Sequence, residues 1–300
     1  MPRANLSARK LVLTGCVRWL DSPMPELAEV EFYRKRWHQA AVGQTVRKVR
    51  AHAAKKIFRS APAAKIRASL VGARLQSSAT AAKQMAFRFD NGTWLGIHLG
   101  MTGELTAVTA GQRAAKHDHL VLDFDEVSVV FSDPRMFGGV RFHPGPDAPE
   151  WWTRIAPSLL SPAFTKRELT AFLTRRAKAP IKAVLLMQER FPGIGNWMAD
   201  EILWRAAIHP AQPAGSLTPA EITVLYRQIR TVCRHAMDRI AGRGDLLPPD
   251  LNVGIPGTWL FNHRWRDGGT CPRTKTALER ADIGGRTTCW SPARQMLRPV

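Results

Sequence analysis

The sequence predicts an α+β protein: an N-terminal helix with an antiparallel β-sandwich, a helical region after it, and a β-hairpin at the end. Three observations carry this. Between Val46 and Phe142 apolar residues mostly recur with the two-residue period of half-buried strands. Past His143-Pro144-Gly145-Pro146-Asp147-Ala148-Pro149, rich in Pro and Gly, the period becomes helical. From Trp259 the chain is short, basic and punctuated by Gly, which reads as a hairpin. The expected division is 24–148, 149–258 and 259–300, after an extension at 1–23.

The segment Met24-Pro25-Glu26-Leu27-Ala28-Glu29-Val30-Glu31 has the character of a protein start, with Met, a small second residue and an acidic first helical turn. Proline suits the first helical position, and Glu26 and Glu29 suit the positive end of the helix dipole. We therefore expect the functional chain to begin at Pro25, residues 1 to 23 arising from a misassigned start. Freed of Met24, Pro25 carries a secondary amine. An α-amino group titrates at roughly 7.7 to 8, so a useful fraction is neutral and nucleophilic near neutrality.

Met85, Phe87 and Phe89 alternate with polar or small residues, Asp90-Asn91-Gly92 supplies a turn, and Trp94 to Ile97 follows as the next strand. His119 to Phe124 and Val127 to Phe131 flank Asp125-Glu126 as a second hairpin. In the helical region, Pro180 to Glu189 and Asn196 to Ala207 read as helices joined by Phe191-Pro192-Gly193-Ile194-Gly195, with Asn196 typed as an N-cap. Thr218-Pro219-Ala220-Glu221 is a capping box opening a helix to about Ile240.

Lys plus Arg number 44 against 24 Asp plus Glu, a formal charge of +20, which suits a polyanionic partner bound with counterion release. Four scattered cysteines, Cys16, Cys233, Cys271 and Cys289, do not make a disulfide framework and favour a reducing compartment. No apolar run approaches the ~18 residues of a membrane helix.

These segments together resemble the formamidopyrimidine-DNA glycosylase and endonuclease VIII family, DNA-repair enzymes that excise oxidised bases with an amino-terminal proline. The likeness runs in the family's order from Pro25 to Gln295. It implies that Pro25 is the nucleophile, that Glu26 protonates the opened sugar, and that Lys83 stands at a hairpin tip beside them. His98-Leu99-Gly100-Met101-Thr102-Gly103 and Ser132-Asp133-Pro134-Arg135-Met136-Phe137-Gly138 resemble two loops that fill the hole left by an extruded base, through Met101, Arg135 and Phe137. His117 matches a further DNA contact, whereas His119 reads as structural. The turn Pro192-Gly193-Ile194-Gly195-Asn196 resembles the family's helix-two-turn-helix element, where Gly193, Gly195 and Asn196 hold phosphate. Lys178 and Lys182 lie just before it as further phosphate contacts.

Many members of that family end in two Cys-x-x-Cys pairs around tetrahedral zinc. Here only Cys271 occupies a ligand place; Thr274, Ser291 and Arg294 hold the others, and Cys289 falls two residues early. A zincless finger with no metal or other cofactor is expected, its fingertip Arg286 gripping phosphate. The resemblance implies a monomeric, cytoplasmic, nucleoid-associated glycosylase and abasic-site lyase acting on duplex DNA that carries oxidised bases or abasic sites. The Arg135-x-Phe137 pair leans towards oxidised purines. Excision of oxidised pyrimidines is the alternative, as is damaged-DNA binding without catalysis if residues 1 to 23 persist and leave Pro25 a tertiary amide. An RNA-binding helix-two-turn-helix module would explain neither Pro25-Glu26 nor the two loops.

Overall fold

A computed structural model describes residues 25–52, 56–58 and 61–299, so Met24, Cys16 and the extension at 1–23 lie outside the described residues. Helix α1 (Leu27–Ala41) comes first, and its N-cap is Glu26. Pro25 thus precedes the helix instead of opening its first turn. The reason is local: Pro has no N–H, so the Glu29 carboxylate reaches back to the first available donor, the Glu26 N–H, at 3.2 Å.

Two four-stranded antiparallel sheets follow. One runs β1 (Lys48–Ala51), β6 (Asp118–Asp123), β7 (Val127–Ser132), β5 (Glu104–Thr109); the other runs β2 (Leu75–Ala81), β3 (Gln84–Phe89), β4 (Trp94–His98), β8 (Gly139–His143). The period-two residues behave as expected: Met85 pairs with Ile97 and Phe87 with Leu95, all four buried. Helix α1 packs on the sandwich through Trp37, whose ring lies 5.2 Å from Phe87 and whose indole N–H donates to Thr106 O at 3.0 Å. Helix α2 (Ala63–Leu70) interrupts the strand region; it buries Ile66 and Leu70, one turn apart.

Beyond β8 come α3 (Glu150–Thr153), α4 (Lys166–Arg175), α5 (Ile181–Leu185), α6 (Asn196–Ala206) and α7 (Pro219–Ala236), the last continuing as π-helix over Met237–Ala241. Thr218 caps α7 as expected, its hydroxyl accepting the Glu221 N–H at 3.3 Å. Helix α5 stops short of Glu189 because Gln188 turns its amide onto the glycine turn, donating to Ile194 O at 2.8 Å and accepting the Gly193 N–H at 3.1 Å. Nine of the eleven residues of α6 are buried, making it the centre of this region. The tail is a hairpin only at its end, β9 (Glu279–Asp282) with β10 (Thr287–Trp290); the segment before it is irregular and starts with a 3-10 turn at Leu260–His263. Among the described residues no helix is long and apolar enough to cross a membrane.

Candidate nucleic-acid active site

Glu26 is fully buried, and its carboxylate sits on the N-terminus of α6. It accepts N–H bonds from Gly195 at 2.7 Å, Trp197 at 2.9 Å and Met198 at 3.2 Å. These are the donors that a helix leaves unpaired at its start, and the helix dipole adds to their attraction for an anion. The N-cap of α6 is Gly195, not Asn196. A side-chain cap is superfluous where a carboxylate from α1 already serves.

The same geometry corrects the reading of the glycines. Gly193 has φ +89, and a Cβ there would stand 2.6 Å from Leu27 Cβ; a Cβ on Gly195 would stand 2.4 Å from Glu26 Cδ. Both glycines make room for α1, and their N–H groups are taken by Gln188 and Glu26. Of the turn's three expected phosphate contacts, Asn196 is half-buried, and its amide donates to Thr287 O at 2.9 Å.

Lys83 stands at the β2–β3 turn, next to Ala82 with φ +54. Its surroundings bring the expected cluster together. Burial lowers its pKa; Glu26 and Glu29 oppose that, while Arg286 adds to it. Glu29 is buried beside Glu26 and accepts the Trp197 indole N–H at 2.9 Å. Burial, and then the negative charge of Glu26, push Glu29 up to about 8. Burial also raises Glu26, against Lys83 and the Trp197 and Gly195 N–H groups. His98, opposite Gln84 in the sheet, is held down at about 4 by burial and then by Lys83 and Arg141, so it is neutral at pH 7. Sequence alone gave Glu29 only a place at the helix dipole and His98 only a place in the first loop segment. Glu29 stands one turn after Glu26, the spacing at which both carboxylates share a helix face.

The two expected insertion loops meet. At Gly100, φ +64, a Cβ would lie 2.4 Å from Phe137 C and from Gly138 N. Asp133 ties them together: its Oδ1 accepts the Thr102 hydroxyl at 2.7 Å and its Oδ2 the Gly138 N–H at 2.7 Å. His119 supports Asp133 from behind, Nε2 to its carbonyl at 2.9 Å, which bears out its structural reading. Phe137 is 56% exposed, with Arg135 stacked 5.0 Å over its ring; Met101 is half-buried, as is His117. An aromatic left this exposed on a braced loop is not part of the core.

Lys178 is exposed, but Lys182 is fully buried. Its ammonium pairs with the Asp200 carboxylate and donates to Asn196 O at 2.7 Å. Lys182 is therefore an interior ion-pair residue and not a phosphate contact. A low-dielectric site with a fixed carboxylate holds an ammonium that solvent would otherwise hydrate.

Residues 24–140 match the formamidopyrimidine-DNA glycosylase N-terminal domain, and residues 155–244 match the H2TH domain of the same enzymes. The chain belongs to the formamidopyrimidine-DNA glycosylase family. It is 34% identical over 278 residues to the formamidopyrimidine-DNA glycosylase of Chloroflexus aggregans, covering 91% of this chain and 99% of that one. The Thermus thermophilus enzyme of that name is 34% identical over 279 residues, covering 91% and 98%. Among solved structures, Lactococcus lactis Fpg with DNA containing an abasic site superposes with TM-score 0.79 at 24% identity, covering 90% of this chain and 99% of that one. MutM with DNA containing carbocyclic 8-oxo-G gives TM-score 0.79 at 25% identity, covering 91% and 100%.

The end of this formamidopyrimidine-DNA glycosylase family member does not fit zinc. Thr274 and Ser291 offer hydroxyls and Arg294 a cation where the family's metal-binding fingers place cysteines. The Cys271 sulfur, fully buried, faces hydrogen-bond donors instead: the Trp204 indole N–H at 3.4 Å and the Thr274 N–H at 3.5 Å. Burial raises this thiol, but hydrogen bonds from Thr274, Ser291 and Trp204 outweigh it and hold the thiol at about 6. Arg294 stacks 5.4 Å over the same Trp204 ring. Among the described residues no group of three or more His, Cys, Asp or Glu is placed to hold a metal ion.

Proposed function

We propose that this chain is a bifunctional DNA glycosylase and abasic-site lyase that excises oxidised bases of the formamidopyrimidine and 8-oxoguanine type from duplex DNA. The observation that supports this is Glu26, the residue after Pro25, fixed on the first turn of α6, with Lys83 within electrostatic reach of Glu26, Glu29 and Arg286. The Pro25 amine attacks the sugar C1′. A new C–N bond forms while the bond to the base breaks, and the base leaves as an anion that takes a proton from water; Glu26 accepts the N–H proton of the attacking amine and passes it to the ring oxygen as the C1′–O4′ bond opens. The resulting iminium draws electrons from the neighbouring C2′–H bond, so its proton leaves and the 3′ phosphate is expelled. Lys83 moves protons at the sugar, its lowered pKa placing it nearer the range where proton transfer is efficient. Arg286 grips phosphate and assists the second, δ elimination. No metal or redox cofactor takes part.

The braced loops supply the rest. Met101, Arg135 and Phe137 occupy the space of the extruded nucleotide, and His117, Lys178 and Asn196 meet backbone phosphates. The positive charge of the whole chain steers it to DNA, and the family resemblance supports a monomer acting in the cytosol at the nucleoid. The test is borohydride reduction with DNA bearing an abasic site or 8-oxoguanine. Protein beginning at Pro25 should be trapped covalently and protein retaining residues 1 to 23 should not. Equal trapping of both would remove Pro25 as nucleophile and leave Lys83 as the next candidate. Trapping of neither would favour damaged-DNA binding without catalysis.

A further inference from the structure

The finger carries Arg286 to the site without the ligands that would let zinc brace its strands. A buried carboxylate stands where that bracing is needed. Asp200 in α6 is 1% exposed and is approached by three other elements. From α5, Lys182 pairs with Oδ1; from the irregular tail, Arg264, 4% exposed, donates to Oδ2 through Nε at 3.0 Å and again through its terminal nitrogen. From β10, the Cys289 N–H donates to the same oxygen at 3.0 Å.

Three further contacts lead from this cluster to the fingertip. Lys182 also holds Asn196 O at 2.7 Å, and the Asn196 amide donates to Thr287 O at 2.9 Å, one residue from Arg286. At Gly284, φ +66, a Cβ would come 2.7 Å from the Cβ of Ala183, the neighbour of Lys182. Positions 284, 287 and 289 therefore all rest on the Lys182–Asp200 pair or its immediate neighbours, and they bracket Arg286. A buried ion cluster gains little stability over apolar packing of the same volume, because its desolvation offsets its attraction. What it does supply is geometry: the N–H and the cations that meet Asp200 are held in fixed directions by their hydrogen bonds.

We infer that Asp200 is a positioning residue for Arg286. It sets the height of the fingertip above α6, whose first turn holds Glu26, and so takes the bracing role that bound metal has in a complete finger. The inference rests on the function proposed above, in which Arg286 serves the δ elimination and Pro25 the imine. Misplacing a catalytic group by about 1 Å costs on the order of a hundredfold in rate, so the δ step should feel the loss of Asp200 while imine formation should not.

The test uses the chain beginning at Pro25 on DNA with a preformed abasic site. Asp200→Asn alone strands two buried cations. Asp200→Asn with Arg264→Met removes one anion and one cation, so the cluster keeps its net charge of one. The double variant should trap with borohydride within about twofold of the parent, while its ratio of δ to β product falls by about tenfold or more. Its binding should lose salt dependence equivalent to about one phosphate. If the double variant does not fold, Arg264→Lys keeps the charge but not the fork and should shift the product ratio in the same direction. An unchanged ratio in a variant that traps normally overturns the inference. A parent that fails to trap overturns the proposed chemistry instead; the salt slope then decides the positioning, and an unchanged slope overturns that too.

Discussion

The Glu26 carboxylate accepts the Trp197 N–H at 2.9 Å, so the residue beside Pro25 terminates a helix 171 positions further along the chain. The N-terminus of α6 is an anion site, and the protein fills it with its own carboxylate. The candidate nucleophile is thereby fastened to the helical region that carries the finger.

Gly195→Ala tests that fastening. Gly195 has φ −125, which alanine adopts freely, so only the 2.4 Å approach of a Cβ to Glu26 Cδ is at issue. Displacing the carboxylate leaves buried N–H groups unpaired and should lower stability by about 2 to 4 kcal/mol. Borohydride trapping should fall with it. Parental melting and parental trapping would together show that Glu26 has room to move.

Glu29 makes stability depend on pH. Its folded pKa, about 8, lies above its ordinary value of 4.5, so the folded state holds a proton that the unfolded chain has released. The contribution is complete below pH 4.5 and is lost as pH rises to about 8. Glu29→Gln keeps a neutral side chain at every pH. Denaturation followed from pH 5 to 9 should show a shallower decline for the variant, with the two proteins similar at the acid end. Parallel curves would mean that Glu29 is already ionised at pH 5.

The two lysines before the glycine turn should separate cleanly. Lys182→Met removes one partner of a buried ion pair; Asp200 retains Arg264, so we expect a loss near 3 kcal/mol, the low end for breaking such pairs. Any change in its DNA binding should accompany that loss of stability, through the finger that rests on the Lys182–Asp200 pair. Lys178→Ala should leave melting unaltered and reduce the salt slope by about one phosphate. The reverse pattern would place Lys182 on DNA.

For the finger, elemental analysis should find well under one zinc per chain, and trapping should persist in chelator, because Thr274, Ser291 and Arg294 replace three ligands. Stoichiometric zinc with activity lost on chelation would contradict the donor chemistry around Cys271.

Much of this protein is written locally. Alternation at Met85, Phe87 and Phe89, the turn at Asp90-Asn91-Gly92 and the capping box at Thr218 depend on neighbours a few residues apart, and each formed as expected. The motif order from Pro25 to Gln295 pointed to the family for the same reason, since a motif is a local pattern. Helix α5 and the N-caps of α1 and α6 were misjudged where a distant or reaching side chain, Gln188, Glu29 or Glu26, took over the backbone donors.

The electrostatics were decided elsewhere. Lys178 and Lys182 stand four residues apart with the same chemistry, yet one is exposed and the other lies in the interior against Asp200. The local patterns around Asp133, Glu29 and Asp200 do not show which distant groups they will meet. They acquire their partners only when Thr102, Trp197, Arg264 and Cys289 arrive from other elements. The sequence by itself determined the strands, the turns, the order of the motifs and the charge that suits DNA, because propensity and pattern act over a few residues. Tertiary structure alone decided which carboxylates are buried, which lysine is solvated and what braces the finger, because a charge is governed by the dielectric and the donors around it, and packing brings those from other elements far along the chain.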